Sequence, residues 1–180
     1  MADLAISGGY TVEDLDWLRN EMRVAAHLEL DPWGSLIVSP ADDHHETAMA
    51  VLVEQAIRQL DLPPGSVRPN GTAWIVAGGT GYLMIPDLIV LAPGWQRLGE
   101  FGFDPPPLLI VEIASPSTRR ADRGRKLADY RLGGAGLYLL VDLPATFEVH
   151  DFAAGTIVTA TGQIDLVVGG QPLRFSLPPA

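Results

Sequence analysis

The sequence predicts an α/β (α+β) domain, and three observations support this fold class. Residues 108–113 and 137–141 are short apolar runs rich in branched side chains, which predict strands buried on both faces. The segment between them has polar residues at helical spacing. Residues 147–178 alternate short apolar runs with glycine-containing turns, a pattern typical of antiparallel strands at one edge of a sheet.

Length and composition predict one ordered globular domain, residues 1–180. A chain of 180 residues can bury a core of its own, and 47% hydrophobic with 19% charged residues is typical of folded proteins. The absence of cysteine excludes disulfides, thiolate nucleophiles and cysteine zinc sites. No apolar run is long enough for a membrane span, and the N-terminus lacks signal-peptide features, so we expect a cytoplasmic protein.

The net charge of −10 argues against a general nucleic-acid coat. The charge is uneven, because residues 119–131 carry five Arg and one Lys against two Asp, a local sum of +4 that leaves −14 for the remainder. Such a basic patch could hold phosphates. An arginine-rich helix face exposed to solvent is the alternative, and charge alone favours it.

The N-terminal third predicts a helix, a hairpin and a second helix. Thr11 resembles a helix cap followed by acids, and helical spacing extends to about Ala26. Strands at 27–30 and 35–38 flank Asp31-Pro32-Trp33-Gly34, which suits a type I turn. A helix follows over about residues 44–60. Its predicted apolar face consists of Ala48, Val51, Leu52, Ala56 and Leu60.

The middle of the chain predicts short strands before the central one. Residues 72–77 and 82–85 are expected to pair across a turn at 78–81, and 87–91 continue or follow the second strand. Residues 92–107 are dense in proline and glycine and predict a loop. The central strand, a basic helix and the strand at 137–141 come next.

Glu112 stands inside the central strand, where an ordinary core strand would have an apolar residue. Burying a carboxylate alone is costly, so Glu112 needs a partner, a metal or a shifted pKa. In the following helix Asp122, Lys126 and Tyr130 recur at intervals of four, which places them on one face. Lys126 is the only lysine in the chain. Unlike arginine, lysine is a compact charge that can lose its proton when buried near a reaction centre.

Three common catalytic motifs are excluded. His45-Glu46 begins like a zinc-protease helix, but Met49 stands where the second histidine is required. The glycine-rich residues 78–81 have no following Lys-Ser/Thr and lie between predicted strands, so they are not a Walker loop. No serine lies within Gly-x-Ser-x-Gly.

A carboxylate pair with a lysine remains. Asp87 begins one predicted strand and Glu112 lies in another, and neighbouring strands can bring two carboxylates close enough to hold a hard divalent cation. Lys126 could then orient a water molecule or neutralise developing charge. Alternatively, Asp87 caps a turn while Glu112 and Lys126 form a structural ion pair. Spacing alone leaves both interpretations open.

These residues resemble a known group of nucleases. Pro86-Asp87 and Val111-Glu112-Ile113 are similar to the metal-binding core of the PD-(D/E)XK nuclease superfamily. The finer pattern resembles the Uma-type restriction endonuclease family within it, over about residues 11–142. The further matching positions are Leu28-Glu29-Leu30, Gly34-Ser35-Leu36, His45, Ser115-Pro116-Ser117-Thr118, Asp122, Lys126, Tyr130, Gly134, Tyr138 and Asp142.

The resemblance implies a restriction-endonuclease-like fold, with a mixed central sheet flanked by helices in a core of about 11–142. The antiparallel strands at 147–178 would be a C-terminal extension. The resemblance also implies an endonuclease that hydrolyses phosphodiester bonds in DNA and depends on Mg²⁺, for which Mn²⁺ can substitute. Asp87 and Glu112 would hold the metal and Lys126 would assist the attacking water.

Other residues are implied to support the site. Asp122 and Tyr130 would orient Lys126, with Glu29 and His45 at the edge. The superfamily's usual lysine position, two residues after the glutamate, is Ala114 here, and Lys126 fits a position that has moved to the following helix. The alternative is a non-catalytic nuclease-fold module for binding or assembly. Because cutting both strands of a duplex needs two sites, we expect a homodimer, with the C-terminal strands as the candidate interface.

Overall fold

The computed structural model describes residues 4–11, 14, 17–18, 26–30, 35–40, 43–69, 74–75, 83–98, 102–114 and 119–177. The helices are α1 (Asp43–Gln59), α2 (Arg119–Ala121), a π-helical segment (Asp122–Lys126) and α3 (Leu127–Leu132). Residues 119–132 are continuous and are called the basic helix. The strands are β1 (Leu4–Ile6), β2 (Ala26–Leu30), β3 (Leu36–Pro40), β4 (Val67–Pro69), β5 (Trp74–Ile75), β6 (Leu83–Met84), β7 (Leu88–Val90), β8 (Gln96–Leu98), β9 (Gly102–Asp104), β10 (Leu109–Ala114), β11 (Leu137–Asp142), β12 (Thr146–Asp151), β13 (Thr156–Thr161), β14 (Gln163–Val168) and β15 (Gln171–Ser176).

The central sheet has six strands in the order β13-β12-β11-β10-β7-β4. β10 and β11 are parallel, whereas the other neighbouring pairs are antiparallel. A parallel pair needs a crossover connection, and the basic helix supplies it. Gly134 adopts a φ of 83° just after this helix, a conformation that commonly ends helices. The predicted mixed α/β fold is therefore confirmed.

The two faces of the central sheet contact different layers. Along β10, alternation directs Val111 and Ile113 into a core shared with α1, β14 and β15. Ile110 and Ala114 point to the opposite core, which includes Tyr130 of the basic helix. Because side chains alternate along a strand, the side chain of Glu112 points to the same face as those of Ile110 and Ala114. This is the face that the basic helix covers.

Helix α1 confirms the predicted amphipathic helix. Ala48, Leu52 and Ala56 are buried against the sheet, and Val51 packs at the edge of the same core. Its polar side joins the helix to β15, because the side-chain amides of Gln55 and Gln59 make hydrogen bonds with backbone groups of that strand.

The N-terminal predictions are partly covered by the described residues. Thr11 and Asp14 exchange hydrogen bonds in a helix-capping pattern, with N–H to oxygen distances of 2.8 and 3.2 Å. Trp17 and Leu18 are helical and Ala26 belongs to β2, whereas the intervening residues 19–25 lie outside the described residues. The predicted hairpin is confirmed as the β2–β3 pair. Its turn at 31–34, and the turn at 78–81 between the paired strands β5 and β6, lie outside the described residues.

Two predicted boundaries need correction. The expected loop at 92–107 contains the β8–β9 hairpin, where Trp95 and Phe103 meet edge to face with ring centres 5.7 Å apart. All three residues of β8 are exposed, so no alternation indicated a strand. In the C-terminal region, β12 and β13 extend the central sheet as expected. β14 and β15 instead form a separate pair that packs on α1.

Among the described residues, no helix is long and apolar enough to cross a membrane.

Candidate active site

Asp87 and Glu112 lie side by side because their strands are neighbours. β7 pairs antiparallel with β10, and Leu88 opposes Val111, which places Asp87 next to Glu112 just beyond the ladder. The backbone N–H of Ile113 donates to Oδ2 of Asp87 at 2.7 Å. Both carboxylates are buried, with exposed fractions of 5% and 4%. Sheet register alone therefore creates the carboxylate pair.

The basic helix places two side chains on Glu112. The ammonium nitrogen of Lys126 lies 3.2 Å from Oε1 of Glu112, and the hydroxyl of Tyr130 donates to the same oxygen at 2.5 Å. Lys126 and Tyr130 are one helical turn apart, so both can reach the same carboxylate. Tyr130 was expected to orient Lys126, and its described hydrogen bond goes to Glu112 instead.

Lys126 also contacts two further carboxylates. Its Nζ lies 3.1 Å from Oε1 of Glu29 and 3.6 Å from Oδ1 of Asp122. Glu29 projects from β2 and accepts the backbone N–H of Ile85 at 3.1 Å, which fixes its position. The single lysine thus joins β2, the central sheet and the basic helix.

His45 approaches the pair from the first turn of α1. Its Nε2 lies 3.0 Å from Oδ2 of Asp87, the oxygen that also accepts the N–H of Ile113. A ring N–H donated to Asp87 would fix the orientation of this carboxylate. The structure therefore brings together all seven site residues expected from the sequence, which are Glu29, His45, Asp87, Glu112, Asp122, Lys126 and Tyr130.

Sequence reasoning missed the part played by Tyr138 and the π-helical segment. The hydroxyl of Tyr138 donates to the backbone oxygen of Asp122 at 3.1 Å, at the start of that segment. Its ring lies 5.5 Å from the ring of Tyr130, and both tyrosines are fully buried. Short π-helical segments often occur at functional sites. One signal was available, since Tyr138 is the only aromatic residue in the aliphatic strand β11.

The family assignment is decided by sequence. The family model described as "Uma2: Putative restriction endonuclease" matches residues 13–163. The chain belongs to the Uma2 family. No curated protein matches it. A solved structure supports the fold: the crystal structure, at 1.96 Å, of "a putative nuclease belonging to DUF820" from Anabaena variabilis ATCC 29413 has a TM-score of 0.53 and 14% identity, over 82% of this chain and 83% of that chain.

Negative charge is in excess at the centre of the Uma2 domain. The buried carboxylates of Glu29, Asp87, Glu112 and Asp122 surround one ammonium group. Burial raises the pKa of Glu112 well above its usual range, and the neighbouring carboxylates raise it further, whereas Lys126 lowers it. This excess of carboxylates favours uptake of a positive charge.

Lys126 is a stable cation in this environment. Burial alone would lower the pKa of Lys126, but the attraction of the carboxylates, with Glu112 the strongest, raises it well above its ordinary value. Lys126 therefore keeps its proton at neutral pH and is not suited to be a general base. Burial and the charge of Glu112 likewise raise the pKa of Tyr130, so its hydroxyl remains a donor.

The carboxylates fit a cation that retains water. No three His, Cys, Asp or Glu side chains within the described ranges are arranged to hold a metal on their own. Ile113 and His45 contact Oδ2 of Asp87, and Lys126 and Tyr130 contact Oε1 of Glu112. These four contacts do not involve the other oxygen of either carboxylate. Mg²⁺ is commonly held by one or two carboxylates, with water and phosphate oxygens completing its shell. The residues fit Mg²⁺ or Mn²⁺ better than zinc.

The exposed side of the basic helix is less positive than its sequence suggests. Arg119 and Arg123 both pair with Asp142, and Arg123 also reaches Glu148 at 3.4 Å. These two acids come from β11 and β12, so the sequence of the helix gave no indication of them. Arg120 is exposed and has no ion pair with any described residue. Much of this face is thus a surface ion-pair network.

Proposed function

We propose that this Uma2 protein is a metal-dependent endonuclease that hydrolyses phosphodiester bonds in DNA. The family and the fold support the nuclease class. One observation carries the finer proposal: Asp87 and Glu112 are adjacent on neighbouring strands, and the only lysine of the chain reaches Glu112 from the next helix. Two carboxylates that can hold a metal ion, and one fixed cation, are groups that metal-assisted phosphodiester hydrolysis can use.

In this proposal Asp87 and Glu112 hold Mg²⁺, and Mn²⁺ can take its place. When bound, the cation would polarise the phosphate and lower the pKa of a coordinated water. His45 and the backbone of Ile113 fix Asp87, and Tyr130 fixes Glu112. Such supporting contacts keep metal ligands in position.

Lys126 supplies positive charge where the phosphate gains negative charge. Glu29 and Asp122 hold its ammonium group from two sides, so the charge is already oriented before a substrate arrives. A group fixed in this way stabilises the transition state without reorganising during the reaction. Asp122 thereby acts as the orienting residue for Lys126.

The second candidate is a non-catalytic module that retains the nuclease fold for binding or assembly. Burial favours it, because Lys126 is only 6% exposed and contacts three carboxylates, as a purely structural ion-pair cluster would. In such a module the cluster would not respond to divalent cations.

Metal titration separates the two candidates. In the nuclease, saturating Mn²⁺ should raise the melting temperature, because a ligand bound only to the folded state stabilises it by about 2.7 kcal/mol at 100 times its Kd. Asp87→Asn keeps a hydrogen-bond acceptor but removes the charge, and should abolish the response. Asp165→Asn is the matched control, since Asp165 lies on the surface of β14 and pairs with Arg174. Equal responses in the two variants would remove Asp87 from the proposed metal site.

The active form is proposed to be a homodimer. The seven site residues of one chain form one proposed site, so one copy would cut one strand. Cleaving both strands of a duplex requires two such sites in a fixed relation. A two-fold dimer gives that arrangement, since it presents the same site twice.

A further inference from the structure

Strand β13 is an open edge of the central sheet. It is the terminal strand of the six and pairs only with β12 among the described strands. Five of its six residues are exposed and the sixth, Ala160, is half-buried, and no other described strand pairs with its outer side. The outer N–H and C=O groups of such a strand are a template for pairing with another chain.

Two other strand edges are protected. β4, at the opposite end of the sheet, has only three residues and ends in Pro69, which cannot donate a backbone hydrogen bond. β15 is covered by α1, whose Gln55 accepts from the backbone N–H of Ser176 and donates to its C=O, each at 2.9 Å. The side chain of Gln59 likewise accepts from the backbone N–H of Arg174 and donates to its C=O. The edges of β4 and β15 are thus less open to pairing with another chain than the edge of β13.

The sequence of β13 lacks the residues that usually prevent edge pairing. Thr-Ile-Val-Thr-Ala-Thr contains no charge, proline or glycine, and five of its six residues are β-branched. Ile157 and Val158, one on each face of the strand, are 64% and 54% exposed. On the face of Ile157 the apolar surface continues into a groove of about 640 Å³ beside the basic helix, where Leu132 is also exposed.

We propose that β13 pairs antiparallel with β13 of a second copy, across a two-fold axis that joins the two central sheets. Antiparallel pairing of a strand with itself satisfies this symmetry, because each residue contacts its counterpart reciprocally. Two chains of net charge −10 repel each other, and β13 is an uncharged strip along which they can meet without opposing like charges. A second copy is therefore the partner that this surface fits.

This interface deepens the homodimer of the proposed function, but its test needs neither DNA nor metal. A result that refutes the interface would therefore not refute the nuclease proposal. A result that refutes the nuclease proposal would not refute the interface. We expect sedimentation equilibrium at tens of micromolar to give twice the 19.3 kDa mass of one chain. A monomer at that concentration, or an assembly without a closed size, would overturn the proposal.

Two matched substitutions locate the contact. Val158→Lys places a charge on β13, and like charges meeting across the axis should raise the dimer dissociation constant by roughly a hundredfold or more. Val167→Lys is the control, because Val167 is 67% exposed but lies on β14. Both positions are at the surface, so circular dichroism should show both variants folded. A dimer that survives Val158→Lys, or is lost in Val167→Lys, places the interface elsewhere and contradicts the inference.

Backbone hydrogen exchange provides a measurement without substitution. In a monomer the outward amides of β13 exchange rapidly, whereas pairing protects them. Their protection should therefore increase with protein concentration, while protection of the central strand β10 should not change. Rapid exchange of β13 at concentrations where the protein is dimeric would refute this interface.

Discussion

Replacement of Lys126 by methionine tests the balance of charge in the buried cluster. The substitution preserves the length and apolar stem of the side chain but removes the ammonium group that contacts Glu29, Glu112 and Asp122 at 3.1 to 3.6 Å. Breaking a buried ion pair from one side typically costs 3–5 kcal/mol, so we expect a loss of about that size. For a chain of this length, the melting temperature should fall by about 6 to 20 °C.

The loss should depend on pH, with a definite sign. The charge of Lys126 lowers the pKa of Glu112, so its removal raises that pKa further above the ordinary value of 4.5. A carboxyl with a raised folded-state pKa contributes stability that is present below its unfolded pKa and lost as pH rises through the folded one. The destabilisation by Lys126→Met should therefore be smallest near pH 4.5 and grow as the pH rises above that value.

Thermal unfolding in EDTA at several pH values measures this effect. Arg123→Met is the matched control, because it removes one positive charge from the same helix but breaks only partly exposed ion pairs, with Asp142 and Glu148. Its cost should be at most about 1 kcal/mol. Mn²⁺ should restore more stability to Lys126→Met than to the unmodified protein. Equal losses in the two variants, or a loss that does not change with pH, would refute the reasoning.

Two further substitutions test the site and its support. Glu112→Gln replaces the titrating carboxyl with an amide that still accepts from Lys126 and Tyr130. In EDTA, the stability of this variant relative to the unmodified protein should therefore increase as pH rises above 4.5. A decrease in unfolding experiments would contradict the raised pKa of Glu112. Tyr138→Phe removes the hydroxyl that donates to Asp122, and should cost about 1 kcal/mol. Because Lys126 is the only lysine, isotope-labelled lysine gives one side-chain NMR signal, which should shift in Tyr138→Phe; an unchanged signal would separate Tyr138 from the site.

The sequence was sufficient for the parts of the fold that depend on local pattern. The apolar periodicity of α1 predicted its buried face, and the apolar runs predicted β10 and β11 within one residue at each end. The hairpin β8–β9 was missed because β8 is exposed throughout and shows no alternation, whereas the contact of Trp95 with Phe103 joins residues eight positions apart.

The candidate site was predictable where composition was unusual and unpredictable where distant elements meet. Glu112 stood out because a carboxylate interrupts an apolar strand, and Lys126 because it is the single lysine. The hydrogen bond from Tyr138 to Asp122 depends on a π-helical turn, for which spacing gave no signal. The pairing of Arg123 with Glu148 likewise depends on how β12 lies beside the helix.

DNA cleavage by the purified protein tests the proposed nuclease most directly. Single- and double-stranded DNA should be cut in the presence of Mn²⁺ and left intact in EDTA, and Asp87→Asn, purified in the same way, should show no cleavage. Lys126→Arg keeps the charge but replaces a compact ammonium with a planar group, so it should bind Mn²⁺ and cut about a hundredfold more slowly. Cleavage at the same rate by Asp87→Asn, or its absence from the unmodified protein with Mn²⁺ bound, would contradict a metal-dependent nuclease centred on Asp87, Glu112 and Lys126.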